Sequence, residues 1–166
     1  MDQQYYQTDE NELISCFAGK NYEYYKRKWD ELSVKRGKFS FNIPAIILGP
    51  IWFAYRKMYL YMIAFYAPLS LLGILFAIFN IKAPSSVFTV AGILIGMYAN
   101  SLYLFFVKKK IGTIRKKTSD EVMVRDIVEK QGGVSIAGAA ILTGITILYI
   151  IFIVIDMINN GLKTAE

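Results

Sequence analysis

Residues 59–80 read YLYMIAFYAPLSLLGILFAIFN, a run of twenty-two positions with no charged side chain. At 1.5 Å per residue a helix of this length reaches about 33 Å, which matches a hydrocarbon core of about 30 Å. A surface helix of a water-soluble domain keeps a polar face, and this run has none. It is read as a membrane span (TM1). Pro68 and Gly73 fall inside it, where neighbouring helices can accommodate a kink.

Working outward, Ile81 to Ser86 form a short loop with one lysine, Lys82. Residues 87–107 are a second apolar run (TM2), stopped by Lys108, Lys109 and Lys110. Residues 134–158 are a third (TM3), closed by Asn159, Asn160 and Gly161, with 159–166 as a tail. The predicted fold is an all-α integral membrane helical bundle: about three transmembrane helices, an interfacial helix and cytoplasmic helices. Hydrophobic residues make up 55% of the 166 positions and charged residues 19%. That charge content is below the roughly 25% of soluble domains.

The polar segments sit on one side. Nine lysines and arginines precede the first span and eight follow the second, against one in the short loop and one after the third. Cytoplasmic loops carry such an excess, so the N-terminus is predicted inside and the C-terminus outside. The start of the chain is polar and acidic, unlike a secretory signal, so insertion is assigned to the internal apolar runs.

Residues 1–41 are read as a cytoplasmic helical region. Asp9 and Glu12 are spaced as a capping box, and Thr8 to Leu32 form either one helix or two that break at Gly19. Leu13, Phe17, Tyr24 and Tyr25 share a broad face. Val34 to Phe41 make a basic connector containing Gly37. Asn42 is an N-cap followed by Pro44 in the first turn. The apolar stretch Ile43 to Tyr55 is about 20 Å as a helix, too short to cross, and Gly49-Pro50 interrupts it. Residues 42–58 therefore lie in the interface or re-enter from it. Residues 108–133 form a cytoplasmic basic helix and hinge. Thr118 and Glu121 are its capping box, Met123, Val124, Ile127 and Val128 an apolar stripe, and Gly132-Gly133 the hinge.

One stretch is specific: Phe41-Asn42, Leu48-Gly49-Pro50-Ile51-Trp52-Phe53 and Tyr55-Arg56-Lys57-Met58-Tyr59. It resembles the signature of a bacterial membrane-protein family known as domain of unknown function 2628. Phe17-Ala18-Gly19-Lys20-Asn21 with Tyr24, Tyr25 and Trp29 resembles the family's opening. The likeness covers residues 13 to 80 by motif and the rest by hydropathy. Ile43-Pro44 departs from the family's more usual Trp-Ala. The resemblance implies a bacterial membrane location, here the cytoplasmic (inner) membrane, and implies no activity.

Candidate functional residues follow from these placements. Trp52, Tyr55, Arg56, Lys57 and Tyr59, with Lys108, Lys109 and Lys110, suit interface or anionic-lipid anchoring, rings at the headgroup level and charges snorkelling to water. Gly92 and Gly96 form a GxxxG, with Asn100 one turn on. Ala140 and Gly144 repeat the small-residue spacing, so these five positions are read as helix-packing sites, between spans two and three or between copies of the chain. Asn100 is expected to bond across helices, and Asp156 to sit at the outer interface.

The chain has no histidine and a single cysteine, Cys16, which removes imidazole metal sites, Ser-His and Cys-His pairs and internal disulfides. No phosphate-binding loop, nucleophile elbow or zincin motif is present. Neither catalytic nor metal-binding nor cofactor-binding residues are assigned. The basic run lacks interleaved aromatics, which argues against nucleic acid. The expected partners are the bilayer, its anionic lipids, and a membrane-protein partner or a second copy. The functional expectation is a non-catalytic accessory or scaffold protein. A small oligomeric transporter or channel subunit is the alternative, and a lipid-acting enzyme ranks a distant third.

Overall fold

A computed structural model describes residues 2–34, 39–82 and 84–163. Residues 35–38 of the basic connector lie outside the described residues, as do 83 and the last three. The described residues form helices and no strand. In chain order these are α1 (Asp2–Ala18), a 3-10 turn (Gly19–Asn21), α2 (Tyr22–Val34), α3 (Ile43–Leu48), α4 (Pro50–Tyr55), α5 (Tyr59–Ile78), α6 (Ser85–Arg115), α7 (Glu121–Gln131) and α8 (Ile136–Lys163). Helices α5, α6 and α8 are long and apolar enough to cross a membrane. The all-α, three-span reading therefore holds.

The remaining helices gather into one polar module where α5 begins, α6 ends and α8 begins. Helix α1 buries Leu13, Ile14, Phe17 and Ala18 and packs on α6 and α7. Helix α2 buries Tyr25 and Trp29, one turn apart, against α6. Helix α7 buries Val124 and Val128, also one turn apart; Met123 of the expected stripe stays exposed. By contrast, no side chain of α5 is fully buried, and only Tyr61, Met62, Phe65 and Tyr66 lean on the core. Apolar side chains stay uncovered around most of α8, as suits a lipid solvent.

Several local expectations shift. Helix α1 already runs from Asp2, so Asp9 and Glu12 do not cap its start; the Glu12 carboxylate pairs with Arg125 of α7 at 2.8 Å. Of the two N-terminal alternatives, the chain adopts the broken one, with Gly19 at φ +62° in the left-handed region. The cap of α7 is Asp120, which accepts from the Val122 amide at 3.0 Å, while Thr118 accepts from the Asp120 amide. Lysines 108–110 do not end a helix: α6 continues through them to Arg115, 31 residues or about 46 Å. Charge stops hydropathy but not backbone geometry, because lysine is a good helix former in water. Helix α8 likewise runs past Asn159 and Gly161 to Lys163.

The short segment before the first span is two helices, broken at Gly49 with φ +52°. Asn42 caps α3 as expected, its side chain accepting from the Ala45 amide at 2.9 Å. Helix α3 packs on α6, and α4 packs on α5 and α8. This hairpin of helices is thus the keystone between all three spans and the module.

Candidate functional site: a caged arginine and a lysine-lined cavity

The Tyr55-Arg56-Lys57-Met58-Tyr59 stretch forms the turn from α4 into α5. Sequence reasoning put its charges in water. The structure instead buries Arg56 to 4% exposure. Its guanidinium carbon lies 4.6 Å from the Tyr25 ring centroid, 5.2 Å from Tyr103 and 5.3 Å from Tyr55. The snorkelling expectation fails because α2 and α6 bring their rings over the side chain, and a weakly hydrated, planar guanidinium stacks on aromatic faces. Trp52, expected as an interface anchor, is also core: it is 3% exposed and meets the Tyr103 ring edge-on at 6.3 Å. Tyr25 in turn stacks on Trp29 at 5.5 Å. Burial raises the Tyr25 phenol above its ordinary value of 10.0, and the nearby Arg56 charge offsets part of that rise.

Lys57 has a different task. Its backbone is left-handed, with φ 59°. Its ammonium donates to the Gln131 carbonyl at 3.3 Å and to the Gly132 carbonyl, holding the C-terminal end of α7. Gly133 donates its amide to the Phe17 carbonyl at 2.7 Å, and Ser135 donates to the Tyr55 carbonyl at 2.8 Å. A Cβ on Gly132 would stand 2.5 Å from the Phe17 oxygen. At the expected hinge, Gly132 is closely packed on Phe17 and Gly133 takes a left-handed φ of +70°, and the ends of α1, α4 and α7 and the approach to α8 are tied together there.

A second feature faces the spans. Lys57, Tyr59, Tyr61, Phe106, Lys109 and Lys110 line a cavity of about 400 Å³ between the start of α5 and the last third of α6. Lys109 and Lys110 are exposed, and the Lys110 ammonium stands 5.9 Å from the Phe106 ring centroid. Lys108 points elsewhere and pairs with Glu10 at 3.0 Å. The cavity combines three cations with tyrosines, a composition suited to an anionic headgroup.

The helix-packing candidates divide. Asn100 is fully buried. Its amide nitrogen donates to the Ser40 carbonyl and hydroxyl at 3.2 Å each, and its amide oxygen accepts from Asn42 at 2.8 Å. Its backbone carbonyl accepts from the Trp29 indole at 3.0 Å. The extended residues before α3 add two more bonds, Ser40 amide to Met97 carbonyl at 2.9 Å and Asn42 amide to Gly96 carbonyl at 3.2 Å. Gly96 is where α3 reaches α6: a Cβ there would lie 2.1 Å from Ile46. A Cβ on Gly92 or Gly144 would meet nothing within 4 Å, and Ala140 is exposed. The expected contact of spans two and three through these pairs is not made, because α3 occupies Gly96. Gly138 is the small residue that matters in α8, closing on the Tyr59 hydroxyl. In the sequence it stands beside the Ala140 and Gly144 pair, outside its spacing.

An all-helical chain with three such spans and a folded polar module at their shared end is of the integral-membrane class. Residues 8–109 match the family model described as Protein of unknown function (DUF2628), and the chain belongs to that family. The match reaches beyond the motif-bearing residues into α6 and stops short of α7 and α8. Neither a curated protein nor a solved structure matches the chain.

Proposed function

We propose that the protein is a non-catalytic accessory or scaffold protein of a bacterial inner membrane, whose cytoplasmic module grips anionic lipid headgroups where it meets the bilayer. The observation that carries this reading is the cavity lined by Lys57, Lys109 and Lys110 together with Tyr59 and Tyr61. It opens where α5 begins, at the level that tyrosines and lysine stems favour. An anionic phosphate there meets the Lys109 and Lys110 ammonium groups, each worth about 1 kcal/mol near a membrane surface, while Lys57 holds the end of α7. The module above it then has a defined height and tilt, as a partner-engaging scaffold needs. The excess of lysine and arginine on the module side supports an N-in, C-out orientation.

Gentle extraction followed by native mass spectrometry tests the reading. Retained phosphatidylglycerol, lost when Lys109 and Lys110 are changed to glutamine with the helical content intact, is the expected result. Equal lipid retention by the variant refutes it. Orientation is tested in a Cys16→Ser background by labelling Lys82→Cys and Lys116→Cys in intact cells with a membrane-impermeant thiol reagent. Labelling at 82 alone is expected; labelling at 116 alone reverses the assignment. Two of the polar groups a transporter would use are engaged elsewhere: Asn100 bonds to Ser40 and Asn42, and the Thr146 hydroxyl donates to the Leu142 carbonyl of its own helix at 2.8 Å.

A further inference from the structure

Buried polar groups nearly always meet a hydrogen-bond partner, and buried charges meet a counter-charge. Arg56 departs from both rules. Its Nε and Nη1 have no partner, and the Tyr103 hydroxyl in the same cluster has none either. Among the described residues every ion pair involves other cations. The three tyrosine rings offset the charge through their faces and the Tyr25 hydroxyl approaches the guanidinium, but Nε and Nη1 are left without a hydrogen-bond partner. Such donors suit an oxyanion, whose paired oxygens match the planar fork. Arg56 also lines a cavity of about 260 Å³ between α2, α3 and the end of α4, with Asn21 and Tyr24 contributing polar groups and Leu48 and Trp52 an apolar wall.

We propose that Arg56 anchors a binding site for a small oxyanion group, a phosphate or carboxylate, that enters through this cavity. The unpartnered nitrogens are covered by the cage, so occupancy includes a swing of Tyr55, the half-buried ring that also lines the cavity. The aromatic and apolar walls favour an anion carrying a small apolar body. That chemistry is shared by a soluble phosphate ester and by a lipid headgroup. The site is lined by none of the residues of the lysine cavity, so the inference stands apart from the lipid-gripping reading.

The test uses the full chain in neutral detergent micelles, titrated with phenyl phosphate at constant ionic strength and followed by tryptophan fluorescence, since Trp52 lines the cavity. A parallel arm compares nanodiscs of phosphatidylcholine with and without phosphatidylglycerol by native mass spectrometry. A saturable fluorescence change, weakened at least tenfold in Arg56→Gln and in the cavity-filling Leu48→Trp, supports a soluble anion. One bound phosphatidylglycerol per chain that both variants lose, and that is distinct from the one lost in Lys109→Gln/Lys110→Gln, supports a headgroup. If the wild-type chain responds to neither probe, or Leu48→Trp binds as well as wild type, the proposal is overturned. Leu48→Trp leaves Arg56 in place, so this outcome is decisive even if Arg56→Gln fails to fold.

Discussion

Removing the Asn100 amide should unfasten the module from the second span. Asn100→Ala deletes the bond from Asn42 at 2.8 Å and the two to Ser40 at 3.2 Å, leaving the Asn42 amide nitrogen and the Ser40 carbonyl buried without partners. Each orphaned neutral group costs about 1–3 kcal/mol, tempered because interhelical hydrogen bonds in membrane proteins average about 0.6 kcal/mol. The expected loss is thus about 2–4 kcal/mol of unfolding free energy, combining the two orphaned groups with the vacated volume. Asn42 also caps α3, so Asn42→Ala would mix two effects. Serine caps as well as asparagine but cannot reach Asn100, so Asn42→Ser isolates the bridge. Equilibrium unfolding in mixed micelles, followed by far-UV circular dichroism, gives the four corners of a double-mutant cycle. A coupling of about 1–2 kcal/mol is expected for residues in one network, against additivity within about 0.5 kcal/mol for independent sites. Additive losses would refute the bridge, and an unchanged Asn100→Ala would refute the whole fastening.

Other outcomes follow from the same geometry. Gly96→Leu should cost about 1–3 kcal/mol by forcing Ile46 and α3 off α6, whereas Gly92→Leu should leave the thermal midpoint in detergent unchanged. Lys57→Met keeps the apolar stem but loses the bonds to Gln131 and Gly132, so hydrogen exchange over residues 131–135 should accelerate by about tenfold, the equivalent of about 1.4 kcal/mol; unchanged exchange would mean the clasp is ornamental. Tyr25 holds its proton to higher pH when folded than when unfolded. Its contribution to stability is therefore complete below pH 10 and is lost as pH rises through the folded value. An alkaline titration read by phenolate absorbance should show several late phenols, Tyr24 and Tyr25 among them, and Tyr25→Phe should remove one of them.

The spans were legible because hydropathy over twenty residues is a statement about solvent, and no distant contact can reverse it. Asn42 with Pro44 was legible because a cap is complete within four residues. The Gly19 break was legible as one of two alternatives, and φ +62° explains which was taken. Arg56 was misread for the opposite reason. Next to Tyr55 and Tyr59 it looks like an interfacial cation, but the rings that enclose it come from Tyr25 and Tyr103, in helices the local sequence does not mention. Gly96 belongs to a GxxxG spacing that marks close approach, yet spacing alone does not say what approaches, and here Ile46 lies against it. The lysine cavity joins Lys57 to Lys109 and Lys110 across two helices; the residues were each named from sequence, but their meeting depends on how α5 leaves α4.

The tie between the Phe17 carbonyl and the Gly133 amide links an early part of the chain to a late one. A ribosome emits Phe17 long before Gly133, and two spans must be inserted in between. The first helix therefore waits beside the membrane with its seat unmade, and the module closes only when α7 emerges and Lys57 takes hold of its end. Truncation before α7 should leave α1 with its contacts on α2 and α6 but none on α7, and the Phe17 carbonyl without its late partner.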